Sequence, residues 1–298
     1  MNIGLALGGG AARGWAHIGI IEALRDMDVT PSIICGTSIG ALVGASCAAG
    51  NLDRLKHTVL SLTRLGMMSY FNISTSLSML VKRDKLQELF ENAVVPAGAR
   101  IEDLPLRFAA VATELATGRE LWLKEGDALQ AVWASIALPG LFPPVWHKQR
   151  WLVDGGLVNP VPVSACRALG ADKVIAVNLN GDIVGRHVNN EQRNPEQGQS
   201  VIGRVAAAVK RYSRGGQEED EERAPERPGT LDTVFGAVDI MQNRITRSRM
   251  AGDPPDVQLV PRVGNLTLME FYKAEEAIRI GARCVETMRP IIEEALNC

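Results

Sequence analysis

The sequence predicts an α/β fold whose parallel strands are covered by helices, and three observations carry that reading. A short apolar strand, a glycine turn and a helix-spaced segment follow one another twice within the first fifty residues, which calls for crossover connections and parallel pairing. A later apolar run, Lys173 to Leu179, has the continuous character of a strand buried on both faces. The composition, 46% hydrophobic in 298 residues, supports a core large enough for such a sheet.

Asn2 to Leu7 is the first strand and runs into Gly8, Gly9 and Gly10. Arg13 to Met27 then carries Trp15, Ile18, Ile21, Ala23 and Leu24 near helical spacing. Pro31 opens the second strand, Ser32 to Gly36, and Ile39 to Ala49 is a helix of small and apolar residues. Leu55 to Leu65 and Lys85 to Val94 read as helices, the second capped by Asp84. Leu106 to Leu115 and Arg119 to Lys124, joined by Ala116, Thr117 and Gly118, predict a hairpin. Ala128 to Leu138 is helical until Pro139 stops it. Arg150 to Val153 is a short strand ending in Asp154, Gly155 and Gly156.

Beyond Asn180 the composition changes. Residues 1–180 read as the main α/β domain and 181–230 as a polar mobile excursion, with five consecutive acids inside Gln217 to Gly229. Val201 to Arg211 is expected there as a short basic amphipathic helix. Residues 231–298 read as a C-terminal helical segment packing on the same domain. In it Leu231, Val234, Phe235, Val238, Met241 and Ile245 mark one helical face. Val257 to Val260 is a last strand, and Leu268 to Leu296 is mostly helical.

Several functional classes are excluded by composition. Lys plus Arg is 32 against 34 for Asp plus Glu, a net charge of −2, so no nucleic-acid partner is expected. No apolar run reaches the length of a membrane span, and the N-terminus lacks the basic region of a secretory signal. Cys35, Cys47, Cys166, Cys284 and Cys298 are odd in number and scattered. They read as small buried hydrophobes in a cytoplasmic protein, not as a disulfide frame or metal site. Neither a metal nor another cofactor is expected.

The strongest chemical signal is Gly36-Thr37-Ser38-Ile39-Gly40, a G-x-S-x-G between a buried strand and a small-residue helix. Gly36 and Gly40 permit a sharp turn that exposes the Ser38 hydroxyl and aims the helix N-terminus at it. A plain helix cap is the competing reading. The second signal is Gly8-Gly9-Gly10-Ala11-Ala12-Arg13-Gly14, whose backbone N–H groups can converge on a phosphate or an oxyanion. It fails as a dinucleotide fingerprint because Arg13 stands where glycine is required, and it lacks the G-K-[ST] of a P-loop. Arg13 is a cation at a helix start, where it opposes the dipole; it is expected to pin the loop through nearby carbonyls or to bind a lipid phosphate. The third signal, Asp154-Gly155-Gly156, is by itself an ordinary turn. A serine nucleophile needs a base, yet His17, His57, His147 and His187 offer none that the sequence sets against Ser38.

These three pieces in this order resemble the patatin-like phospholipase family. The likeness extends through LALGGGAARGWAHIG, RFAAVATELATGRELW, PGLFPPV, WLVDGGLVNPVP and RMAGDPPD, and is nearest to short bacterial RssA-type members. The resemblance implies a three-layer α/β/α fold with a central, mostly parallel sheet and a serine nucleophile elbow. It implies a Ser-Asp dyad without histidine: Ser38 as nucleophile, Asp154 as base, and Gly8, Gly9, Gly10 and Ala11 as oxyanion donors. Gly36, Gly40, Arg13, Gly155 and Gly156 would support them. Many members have G-G-G-x-R-G, whereas two alanines separate Gly10 from Arg13 here, which leaves open which N–H groups point inward.

The implied activity is hydrolysis of fatty-acyl esters of phospholipids or lysophospholipids. Two apolar stretches, Met67 to Leu80 and Pro139 to Trp146, suit such a substrate if exposed, and would allow peripheral contact with the inner membrane surface. The alternative is a non-catalytic regulatory or adaptor protein that retains the acyl-binding pocket and uses 181–230 to bind a partner. A nucleotide-binding protein using the glycine loop is the weaker third reading.

Overall fold

The computed structural model describes residues 1–68, 71–73, 79–81, 83–182 and 230–296. In chain order the elements are β1 (Ile3–Leu7), a 3-10 turn (Ala11–Trp15), α1 (Ala16–Arg25), β2 (Ile33–Thr37), α2 (Ile39–Ala48), α3 (Leu52–Leu60) and α4 (Arg64–Met68). Then follow β3 (Phe71–Ile73), β4 (Met79–Val81), α5 (Arg83–Ala93), β5 (Arg107–Glu114), β6 (Glu120–Leu123), α6 (Ala128–Ser135), β7 (Val145–His147) and β8 (Arg150–Asp154). A 3-10 turn (Gly155–Leu157), α7 (Val163–Ala168), β9 (Lys173–Val177), α8 (Thr230–Gly252), β10 (Val257–Leu259) and α9 (Ala274–Leu296) complete the described chain.

Five strands, β10, β9, β1, β2 and β5, lie parallel in that order, and β6, β7 and β8 add antiparallel pairings beyond them. The strands alternate in what they bury. Leu5, Leu7, Ile34, Ile175 and Val177 face a thick layer that includes α1, α2 and α9. Ala6, Cys35, Ala109 and Ala176 face a thinner layer containing α7. Small residues on that side let the short helix sit close to the sheet. The result is the expected three-layer α/β/α arrangement with a mostly parallel sheet.

The register around β5 positions the site. On one side β2 pairs with β5 up to Thr37 opposite Val111. β6 pairs with Ala110 to Thr113, overlapping both β2 and β8, so it must occupy the other side. β8 therefore continues on the side of β2, running the opposite way and ending with Asp154 opposite Ala112. Two strands thus meet end to end along a single edge.

Some boundaries differ from those the sequence predicts, each for a local reason. α6 ends at Ser135 rather than Leu138: the residue before Pro139 is disfavoured in a helix, the Leu138 N–H turns back to the Ile136 carbonyl at 2.7 Å, and the Ala137 carbonyl is left to accept the Asp154 N–H at 3.0 Å. The helix expected over 55–65 breaks after Leu60, where the Ser61 hydroxyl bonds the Thr58 carbonyl and α4 starts anew. α5 begins at Arg83, so Asp84 sits in its first turn and does not precede it as a cap. The hairpin β5–β6 forms as expected.

The largest difference is α8. Its expected apolar face is not the one most deeply buried: Val234 and Met241 are exposed, Val238 and Ile245 are half-buried, and the buried residues are Asp239, Gln242, Asn243 and Thr246. Polar partners on the domain surface, described below, select that face. Leu231 and Phe235 lie outside the described side chains. Residues 183–229, with the expected Val201 to Arg211 helix, the acidic run and His187, lie outside the described residues, as do 69–70 and 74–78 of the Met67 to Leu80 stretch. Of the other apolar stretch, Leu141, Phe142 and Val145 pack against the core, while Trp146 is exposed.

Candidate active site

Ser38 follows the last residue of β2 and precedes α2, with φ 56° and ψ −126°. A non-glycine residue in that region costs on the order of 1–3 kcal/mol and persists only where its surroundings hold it. Here they do. A Cβ on Gly36 would strike the backbone of Gly40 and Ala41, and one on Gly40 would strike the Leu7 and Gly8 carbonyls. Only glycines allow the turn to close this tightly against β1. The Ser38 N–H donates to Ser135 Oγ at 2.9 Å, and Ser135 donates in turn to the Val111 carbonyl at 2.6 Å.

The Ser38 hydroxyl donates to Asp154 Oδ2 at 2.6 Å. The other carboxylate oxygen, Oδ1, accepts the Gly156 N–H at 2.7 Å, and the Asp154 carbonyl accepts from Thr113 Oγ1 at 2.8 Å. Asp154 is 1% exposed. Burial pushes its carboxyl up to about 6, against the smaller opposing pull of the Ser38 and Gly156 hydrogen bonds. Gly155 is required because a Cβ there would meet the Val111 carbonyl.

The glycine loop lies beside the serine; a Cβ on Gly9 would come within 3.5 Å of Ser38 Cβ. Its donors are not equivalent. Gly8 N–H is bonded to the Val177 carbonyl at 3.1 Å and Gly9 N–H to the Pro160 carbonyl at 3.0 Å. Of the four expected oxyanion donors, Gly8 and Gly9 thus use their N–H groups to anchor the loop, while Gly10 and Ala11 have no acceptor among the described residues. Ala11 takes φ 48°, which turns the chain into the following helical turn. The first N–H of α2, that of Ile39, is likewise without an acceptor among the described residues.

Arg13 corrects its expectation. It is buried, donating to Asp239 Oδ2 at 2.8 Å and to Asn180 Oδ1 at 3.1 Å, so it bonds neither loop carbonyls nor solvent-borne phosphate. The anion that offsets its place at a helix start comes from α8. Beside it Asn180 Nδ2 donates to Gln242 Oε1 at 2.9 Å and Asn243 Nδ2 to the Asn180 carbonyl at 2.9 Å. A Cβ on Gly156 would run into Gln242 Nε2 and Asp154 Oδ1, so α8 reaches the neighbourhood of the carboxylate.

The histidines stand elsewhere. His17 Nε2–H donates to the Gly8 carbonyl at 2.8 Å, and burial pushes its pKa down to about 4, keeping the ring neutral. His147 bonds Gln130, and His57 lies on α3. Among the described residues no histidine bonds Ser38 or Asp154. No group of His, Cys, Asp and Glu among them has the arrangement of a metal site.

Sequence reasoning missed Ser135, Asn180, Asp239 and Gln242. Asp239, Gln242, Asn243 and Thr246 follow the same i, i+3, i+4, i+7 spacing as an apolar face, so the helix carries two competing stripes and the polar one is buried. Ser135, at the end of an otherwise apolar helix, carries no such signal.

The sequence model described as patatin-like phospholipase matches residues 5–167. An uncharacterized NTE family protein of Mycobacterium tuberculosis is 32% identical over 94% of this chain and 89% of its own length. Lysophospholipase NTE1 of Coccidioides immitis is 28% identical over 94% of this chain, a stretch that makes up 17% of the fungal protein. Among solved structures, VipD from Legionella pneumophila aligns at 12% identity with a TM-score of 0.37, over 99% of this chain and 78% of its own, a likeness too loose to carry an argument.

Proposed function

The chain belongs to the patatin-like phospholipase family, and on that premise we propose that it is a serine acyl hydrolase cleaving fatty-acyl esters of phospholipids or lysophospholipids through a Ser38–Asp154 dyad. The observation that carries the reading is the 2.6 Å hydrogen bond from the Ser38 hydroxyl to a buried carboxylate. The lysophospholipase name of a relative supports the substrate class.

In this reading the turn at Ser38 is a nucleophile elbow. Asp154 Oδ2 takes the hydroxyl proton as Ser38 Oγ attacks the acyl carbonyl carbon. The C=O pair becomes an oxyanion, held by the Gly10 and Ala11 N–H groups together with that of Ile39. Collapse expels the alcohol, which takes the proton from Asp154, and leaves an acyl-serine. Water then attacks the acyl carbon, giving its proton to Asp154, and the second collapse returns the proton to Ser38 Oγ with release of the fatty acid.

Two features suit a carboxylate to this task. Burial lifts Asp154 to about 6, nearer to the pH at which it must accept a proton than an ordinary aspartate. The free N–H groups supply the larger share of the barrier lowering, since one lost donor typically costs about 10²–10³ in kcat. Peripheral contact with a lipid surface completes the proposal, supported by the exposed Trp146 at the end of the apolar Pro139 to Trp146 stretch.

The test is reaction with a fluorophosphonate followed by intact-mass measurement and peptide mapping. A single adduct on Ser38, with hydrolysis of p-nitrophenyl acyl esters by the unlabelled protein, is expected. A folded protein that neither labels nor hydrolyses would favour the non-catalytic adaptor reading.

A further inference from the structure

Helix α8 wears its polarity in reverse. The face turned to the protein is polar, and Asp239, Gln242, Asn243 and Thr246 are buried on it. The face turned outward carries Val234, Ile240 and Met241, which are 45%, 54% and 50% exposed. Arg244 and Arg247 stand exposed on the same outward arc. At about 100° per residue, positions 234, 237, 240, 241, 244 and 247 fall within one contiguous sector of roughly 140°. That sector contains no acid. The other arginine of the helix, Arg249, is on the inner side and already paired with Glu120, whereas Arg244 and Arg247 have no carboxylate beside them among the described residues.

From this arrangement we infer that the outward face of α8 seats the protein on an anionic lipid surface. Aliphatic side chains flanked by arginines are the composition of a helix that lies in a membrane interface: the apolar groups enter the acyl boundary and the guanidinium groups remain with the phosphates. An acidic protein partner would satisfy the two arginines and leave the three aliphatic side chains without a purpose. A second copy is disfavoured, since an isologous contact through this face would bring the arginines of one helix against those of the other. The overall net charge of −2 gives no general attraction to anionic surfaces, so the local pair of cations must supply it.

The choice of lipid as occupant rests on the proposed hydrolase reading. It adds an orientation. The inner face of the same helix holds Arg13 at the start of the loop helix and lies against Gly156, so a bilayer seated on the outer face and the Ser38 site are separated by the width of this one helix.

The experiment uses the full chain carrying Ser38→Ala, so that lipids are not consumed, and sediments it with vesicles of phosphatidylcholine alone or in equal parts with phosphatidylserine. Binding to the mixed vesicles at low salt, weakened by salt and absent from neutral vesicles, is expected. Adding Arg244→Gln and Arg247→Gln together should lower the partition coefficient by about fivefold per arginine. Ile240→Asp with Met241→Asp should reduce it further. In the Ser38 protein these four exposed changes should leave the melting temperature and p-nitrophenyl ester hydrolysis unchanged. Absence of vesicle binding, equal binding to neutral vesicles, or binding indifferent to these substitutions overturns the inference. So does a dimer in light scattering that Ile240→Asp dissolves, which would give the face to a second copy. Vesicle binding without ester hydrolysis by the Ser38 protein would leave the docking and remove the hydrolase; hydrolysis without binding would do the reverse.

Discussion

Ser38 Oγ lies 2.6 Å from Asp154 Oδ2 although 116 residues separate them in the chain, and one strand brings them together. β5 is long enough to pair with β2 over its first half and with β8 over its last residues on the same side. Since β2 runs up that edge and β8 runs down it, the end of each strand faces the end of the other. The hydroxyl comes from one end and the carboxylate from the other. The dyad geometry is therefore a consequence of register: a one-residue slip of β8 would turn Asp154 to the opposite face of the sheet.

Ser38→Ala is expected to reduce acyl-ester hydrolysis by at least about 10³-fold and to abolish fluorophosphonate labelling, as removal of an activated serine does elsewhere. The alanine takes the same backbone turn and removes only the hydroxyl, so the melting temperature should change little. Measurement of kcat/KM on p-nitrophenyl esters beside a thermal melt decides it. Retained activity in the folded variant would assign the nucleophile to another residue.

Asp154 sets the pH dependence. Its carboxyl is lifted to about 6, and in the proposed mechanism the ionised form is the base, so kcat/KM should rise with pH and reach half its plateau near that value. Stability should move the other way. The folded pKa stands above the ordinary 3.8, so the folded protein holds this proton more tightly than the unfolded chain. Stability is thus fully present below pH 4 for this group and declines as pH rises through about 6, by on the order of 3 kcal/mol. Asp154→Asn should remove nearly all turnover, and it should abolish this group's share of the fall in melting temperature between pH 5 and pH 8. A variant that keeps turnover, or wild-type activity flat from pH 5 to 7, would count against the assignment.

Arg13 and Asp239 form a buried pair, their side chains 3% and 12% exposed, and breaking one partner strands the other charge. Arg13→Ala should lose about 3–5 kcal/mol of stability in urea unfolding. Because the guanidinium is directed at Asp239 and Asn180, its loss should lower kcat by the same factor on charged phospholipids and on uncharged p-nitrophenyl esters, with KM for both little changed. A defect confined to phospholipids would mean that Arg13 reads the phosphate. A double cycle with Asp239→Ala should show the two losses to be strongly non-additive.

How far the site could be read from sequence follows from where each part of it lies. Ser38, Asp154 and the glycine loop sit on short contiguous motifs, because a tight turn or a free backbone N–H demands glycine at fixed positions. That the Gly8 and Gly9 N–H groups are already engaged could not be read, since it depends on the Val177 and Pro160 carbonyls reaching them from distant parts of the chain. α8 was legible as a helix but not in orientation. Hydrophobic periodicity assumes that the apolar side faces in, and here Arg13 and Asn180 offer a polar surface that reverses the choice. Arg13 itself was conspicuous as a misplaced cation, but its partner lies 226 residues away, beyond any local pattern.

The last expectation is that no histidine takes part in the chemistry. A general base must come within about 2.6–3.2 Å of the proton it removes. His17 is the histidine nearest the glycine loop in sequence, and it is engaged: Nε2–H donates to the Gly8 carbonyl, and burial holds the ring neutral with a pKa near 4. A ring that donates from Nε2 and is buried behind the loop serves to fix Gly8, not to accept the Ser38 proton. His17→Gln keeps a donor for that carbonyl but leaves part of the ring volume empty, so it should lower the melting temperature and reduce kcat by less than an order of magnitude. His147→Gln and His57→Gln act on surface contacts at Gln130 and on α3, and these two, with His187→Gln, should leave both quantities within error. None of the four should move the pH at which activity is half-maximal, because in the proposed mechanism that ionisation is that of Asp154. A well-folded His→Gln variant that loses activity by a factor of a thousand, or that shifts the midpoint of the pH profile, would replace the dyad with a triad and return the base to imidazole.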